Sequence, residues 1–95
     1  MPHAPRVEIR YCVQCRWTAR AAWMAQEVLS SLSSAIGEVA LVPDDGGTYV
    51  IAVEGTPVWV RAEEGGFPQP AALKQRVRDA VAPEQDLGHA DDVDR

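Results

Sequence analysis

Val7-Glu8-Ile9-Arg10-Tyr11-Cys12-Val13-Gln14-Cys15 is the stretch on which the fold turns. Val7, Ile9 and Tyr11 alternate with Glu8 and Arg10, the period of a strand with one buried side. The strand delivers the chain's only two cysteines, Cys12 and Cys15, to the start of a segment with helical period. Because the two lie three positions apart, a disulfide between them constrains the unfolded chain very little; it is a poor staple and a natural switch. In an intracellular chain, a C-x-x-C that ends a strand and opens a helix reads as a thioredoxin-like redox motif.

From about Arg16 to Ile36, Trp17, Ala21, Met24, Ala25, Val28, Leu32 and Ala35 form one helical stripe, and Gly37 supplies the stop. Val39 to Val42 has the look of a short buried strand, and Pro43-Asp44-Asp45-Gly46-Gly47 is a loop by turn chemistry. Thr48 to Val53 and Val58 to Arg61, separated by Glu54-Gly55-Thr56-Pro57, read as a hairpin. Glu63 to Pro68 is a second loop. Pro70 to Ala82 is a closing helix with Leu73, Val77, Ala80 and Val81 inside, ended by Pro83.

The order β-α-β-β-β-α, with a right-handed first crossover, makes strands one and two parallel neighbours and adds the hairpin on the other side of strand one. The expected fold is α/β and thioredoxin-like: a four-stranded mixed sheet with both helices on one face. Residues 7–82 form the expected domain, 1–6 a disordered leader and 83–95 a disordered acidic tail.

A chain of 95 residues, 46% hydrophobic and 24% charged, suffices for one small core. Of its net charge of −5, residues 83–95 hold −4, five acids against Arg95, which leaves −1 for the body. Arg10, Arg16 and Arg20 near the cysteines are too few, and too mixed with acids, for a nucleic-acid footprint. With neither a signal-peptide pattern nor an apolar run of membrane length, the chain is expected to be soluble and cytoplasmic, where two cysteines are a working pair rather than a scaffold.

The run Val7 to Cys15, the hairpin, the Gly65-Gly66-Phe67-Pro68 loop, the following Leu73-Lys74-Gln75-Arg76-Val77-Arg78-Asp79 and the Asp86-Leu87-Gly88-His89 tail together resemble the bacterial selenoprotein W-like family (Rdx, SelT/SelW/SelH). The resemblance spans roughly Val7 to His89. It implies a thioredoxin-like fold and a thiol-disulfide oxidoreductase using Cys12 and Cys15. Some members carry selenocysteine at the position of Cys15, where this chain has sulfur. It also lacks, before Thr48, the proline that thioredoxins set in cis opposite their cysteines.

The attacking species is a thiolate, and free cysteine is mostly protonated at neutral pH. A helix start can favour the anion, and Arg16 and Arg20 are candidates to add to the effect. Thioredoxin logic makes Cys12 the attacker, whereas the selenium position implied by the resemblance favours Cys15. Tyr11, Trp17 and Phe67 are substrate-docking candidates. Packing of Phe67 under the last helix is the commoner outcome for such a residue; the alternative carries its loop to the cysteine end. Trp23 shares a polar helical face with Gln26 and Glu27, with Arg20 placed to lie on its ring. Trp59 and Trp23 are candidate partner surfaces, and a homodimer is one expectation at the open sheet face around Trp59.

Half of a tetrathiolate zinc site is present, but only His3 and His89 are available to complete it, so no metal and no other cofactor is expected. The expected partners are protein or low-molecular-weight thiols and disulfides, glutathione among them, with neither nucleic acid nor membrane. The alternative is a non-enzymatic redox-sensing or adaptor module whose partner binding follows the oxidation state of the pair.

Overall fold

The computed structural model describes residues 4–88. Its elements are β1 (Arg6–Cys12), α1 (Thr18–Leu32), β2 (Glu38–Asp44), β3 (Tyr49–Val53), β4 (Thr56–Val60), α2 (Arg61–Glu64) and α3 (Pro70–Val81). The strands form one sheet in the order β2-β1-β3-β4, with β1 parallel to β2 and antiparallel to β3. Helices α1 and α3 pack on each other and on the sheet, so both cover the same face.

The alternation in β1 does what its period demands. Val7 and Ile9 are fully buried and Tyr11 nearly so, opposite Val53, Ile51 and Tyr49 of β3. From α1 come Ala21, Met24, Ala25, Val28 and Leu32, and from α3 Leu73 and Val77, to close one core. Each fully buried aliphatic side chain of this size contributes about 1.5–3 kcal/mol. Ala80, read as inward, is exposed.

The other face of β1 and β2 carries a charge ladder. Arg6 pairs with Glu38 and, at 3.2 Å, with Glu8; Arg10 reaches Glu8 at 2.8 Å and Asp44 at 3.8 Å. Burial raises the Glu8 carboxyl, but hydrogen bonds from Arg10 and Arg6 outweigh it, and the net shift is downward.

Several boundaries differ from the sequence expectation. Arg6 belongs to β1 rather than to a leader, and its carbonyl accepts the Glu54 N–H at 2.9 Å. β2 is an edge strand with no fully buried residue and with Leu41 40% exposed, because its outer side has no neighbour. The β3–β4 turn is Glu54-Gly55 alone, both at positive φ (49° and 83°), the geometry of a tight two-residue hairpin, and Thr56-Pro57 already belong to β4. Pro83 to Gly88 fold back onto α1: Gln85 Nε2 donates to the Ser31 carbonyl at 3.3 Å, Arg78 donates to the Gln85 carbonyl at 3.0 Å, and Leu87 packs against the core. Residues 89–95, with His89 and most of the acidic tail, lie outside the described residues, as do residues 1–3 with His3.

The face of Trp59 is also reversed. Val53 pairs with Thr56 and Ala52 with Pro57, but Ile51 pairs with Trp59, so Val58 is an extra residue in β4. A bulge of one residue flips everything beyond it to the opposite face. Trp59 therefore lies on the helix side, its Nε1 donating to the Gly66 carbonyl at 3.0 Å and its ring under the Arg76 guanidinium at 4.5 Å. Trp59 is therefore not on the open face where it was expected.

Candidate functional site

Cys12 closes β1 and Cys15 sits in the turn that follows; the two are joined as a disulfide with their Cα atoms 5.3 Å apart. Two strands hold the motif from either side. The Cys12 N–H donates to the Thr48 carbonyl at 2.8 Å, just before β3, and the Val13 N–H donates to the Asp44 carbonyl at 3.0 Å at the end of β2. The turn is completed by the Arg16 N–H on the Val13 carbonyl at 2.9 Å, with Arg16 itself left-handed at φ 64°. A left-handed residue cannot continue an α-helix. For that reason α1 starts only at Thr18, two residues later than the hydrophobic stripe suggested, and the cysteines precede the helix instead of opening it.

The two sulfurs occupy different environments. Cys12 is 1% exposed, whereas Cys15 is exposed. The Cys15 N–H donates to Cys12 Sγ at 3.2 Å, so the buried sulfur is also the one with a backbone donor.

Three aromatic rings pack beside the motif. Trp17 caps α1, and Phe67 meets both Trp17 and Tyr49 edge-to-face at 4.9 Å, while Trp17 and Tyr49 are 6.2 Å apart. Phe67 has thus been carried to the cysteine end rather than under α3. The short helix α2 and Gly65, left-handed at φ 81°, turn the chain there. Arg20 lies over Phe67 at 4.1 Å, not over Trp23, and Arg61 lies over both Phe67 and Trp17 at 4.8 Å.

Tyr49 is 1% exposed, and neither its hydroxyl nor the buried Nε of Arg61 has a hydrogen-bond partner. Burial pushes the Tyr49 phenol up to about 12, against a smaller opposing pull from Arg20.

Cys12, Cys15, Arg16, Trp17, Arg20 and Phe67 are thereby brought to one end of the sheet. Tyr11, expected to dock substrate, is instead buried in the core at 7% exposure, because it follows the inward period of β1. Trp23 is 45% exposed on the outer side of α1, and Trp59 is held by Arg76 and Gly66. Arg61 was missed by sequence reasoning; the only signal for it was its proximity to the Gly65-Gly66-Phe67-Pro68 loop. Among the described residues, no group of three or more His, Cys, Asp or Glu side chains is placed to hold a metal, and no helix is long and apolar enough to cross a membrane.

Residues 6–79, which contain the whole sheet, the C-x-x-C turn and the Phe67 loop, match the model of the Rdx family. This chain belongs to the Rdx family. Two solved structures share the arrangement. A protein from Bordetella parapertussis is 56% identical, with 83% of this chain and 100% of that chain covered at a TM-score of 0.80. The selenoprotein W-related protein from Vibrio cholerae is 51% identical, with 79% and 94% covered at a TM-score of 0.77. No curated protein matches the chain. Membership of the Rdx family, together with a Cys12–Cys15 pair at disulfide distance, gives the chain a redox-related function.

Proposed function

We propose that the protein is a thiol-disulfide oxidoreductase in which Cys15 exchanges with substrate and Cys12 resolves. The carrying observation is the asymmetry of the pair: Cys15 exposed, Cys12 buried at 1% with Cys15 N–H on its sulfur. In the reduced pair, the Cys15 thiolate attacks one sulfur of a substrate disulfide, and the other leaves as a thiolate that takes up a proton. The Cys12 thiolate then attacks Cys15 Sγ, closing the internal disulfide and expelling the second substrate thiol. The dithiol is oxidised by two electrons and the substrate disulfide is reduced to two thiols.

Run in reverse, attack by an external thiolate on the accessible Cys15 Sγ expels Cys12 as a thiolate, where the Cys15 N–H supports the developing charge. The partners on this reading are protein or low-molecular-weight thiols, glutathione among them. A pair that cycles fits a reducing, cytoplasmic compartment.

The test is an equilibrium titration in defined thiol buffers, read by alkylation and mass spectrometry. A reversible Cys12–Cys15 disulfide between roughly −180 and −300 mV, the range of working redox proteins, is expected. A pair that never closes at any accessible potential overturns the proposal.

A further inference from the structure

The basic side chains of this protein are sorted by position. Arg6 is paired with Glu8 and Glu38, Arg10 with Glu8 and Asp44, Lys74 with Glu27, Arg76 with Glu64 and Arg78 with Asp79. Among the described residues, only Arg16, Arg20 and Arg61 have no carboxylate partner, and all three stand at the cysteine end. In a chain with 14 acids and 9 bases, that segregation leaves uncompensated positive charge in one place.

Two of the three guanidiniums are also held in position. Arg20 and Arg61 stack on the same Phe67 ring, and Arg61 on Trp17 as well, so their side-chain freedom is already reduced before any ligand arrives. Trp17 follows Cys15 by two residues, which limits their Cα separation to about 7 Å. Of the acids on the flanking elements, Asp44 at the end of β2 is engaged by Arg10 and Glu64 of α2 by Arg76, which leaves Asp45 and Glu63 to oppose the three arginines. An anion near Cys15 is thus drawn to the α1–α2 side.

We propose that Arg20 and Arg61, with Arg16 beside them, form an anion-binding subsite that selects disulfides bearing a carboxylate close to the reacting sulfur. This deepens the exchange reading and rests on Cys15 as the sulfur that meets substrate. The carboxylate belongs either to a small acidic thiol or to an acidic side chain flanking a protein cysteine; the subsite chemistry is the same. A guanidinium about 6 Å from such a carboxylate in water favours its approach about threefold, and two together about tenfold.

The test has two arms. In the first, the reduced protein is oxidised by dithiodipropionate, hydroxyethyl disulfide and cystamine, which are anionic, neutral and cationic, and by an acidic octapeptide disulfide with its neutral counterpart. The expected result is a preference of about tenfold for anion over neutral, shrinking in 0.5 M salt and in the Arg20→Gln/Arg61→Gln variant, and retained in Arg61→Lys. Preference in the small series assigns a small acidic thiol, and preference in the peptide series alone assigns a protein cysteine. Equal rates across charge in both series overturn the subsite while leaving exchange intact.

The second arm needs no turnover. Rates of Cys15 alkylation by iodoacetate and iodoacetamide are compared, with a small thiol as reference. An iodoacetate to iodoacetamide ratio about tenfold above that of the double variant supports the subsite even if no disulfide is reduced, and a ratio that does not change between wild type and double variant refutes it.

Discussion

Tyr49→Phe should make this protein more stable. The hydroxyl is buried on a 1% exposed side chain and has no partner. A hydroxyl taken out of water without compensation costs about 1–3 kcal/mol. Against this, deleting one oxygen leaves a void of roughly 15 Å³, which at about 24 cal/mol per Å³ costs about 0.4 kcal/mol. The ring itself, and its edge-to-face contact with Phe67 at 4.9 Å, are retained. The expected net gain is about 1 kcal/mol, or roughly 4–8 °C in Tm for a domain of this size. Urea denaturation followed by far-UV circular dichroism reads the difference.

The same substitution should alter alkaline stability. Burial holds the phenol protonated in the folded state up to about 12, above the ordinary tyrosine value of about 10. Between those values the unfolded chain releases the proton and the folded chain keeps it, so stability falls as pH rises through that window. The contribution is complete below pH 10 and absent above 12, and Tyr49→Phe removes this part of the slope. A destabilisation of more than about 0.5 kcal/mol at pH 7 would refute the reasoning, because it would mean that the hydroxyl makes a bond that its surroundings do not offer.

Arg16→Val should destabilise by about 1–3 kcal/mol, since a β-branched residue resists φ 64°, whereas Arg16→Gly should be neutral or mildly stabilising; thermal melts of the pair give the comparison. Phe67→Leu keeps apolar volume but loses two edge-to-face contacts and two guanidinium stacks, so a loss of about 1–2 kcal/mol is expected in urea titration. Arg76→Ala removes the stack on Trp59 and the bond to the Val58 carbonyl, with an expected loss of about 1 kcal/mol. Because its hydrogen bond from Arg76 holds the Glu64 carboxyl below the ordinary glutamate range, the contribution of this pair should be present above that range and fade as pH falls through it, which a low-pH stability series in wild type and Arg76→Ala will show.

The parts of the fold that were legible were those fixed by local period. Val7, Ile9 and Tyr11 announced β1, the Ala21 to Leu32 stripe announced α1, and the order of elements left little choice of topology. What was not legible depended on single residues or on distant ones. Arg16 adopts a left-handed conformation that no composition rule assigns to arginine, and this delays α1. The extra Val58 in β4 reverses Trp59, and a bulge leaves no trace in an alternating apolar run.

The cysteines of the candidate site were plain from sequence, but their inequality was not. Cys12 is covered because β2 and β3 both bond the motif backbone, through Asp44 and Thr48, which are 32 and 36 positions away. The ring cluster was half visible: Trp17 and Phe67 were singled out, while Tyr49 and Arg61 were not. Trp17 and Phe67 are 50 positions apart, and their meeting depends on α2 and the Gly65 turn.

The central claim, that substrate meets Cys15 and Cys12 resolves, is tested most directly by trapping the mixed disulfide. Reduced Cys12→Ser and Cys15→Ser are each mixed with a disulfide substrate, quenched with acid and mapped by peptide mass spectrometry. The account predicts a stable adduct on Cys15 in Cys12→Ser, and none, or one formed far more slowly, in Cys15→Ser. Rapid adduct formation on Cys12 in Cys15→Ser, with Cys12→Ser inert, would contradict it.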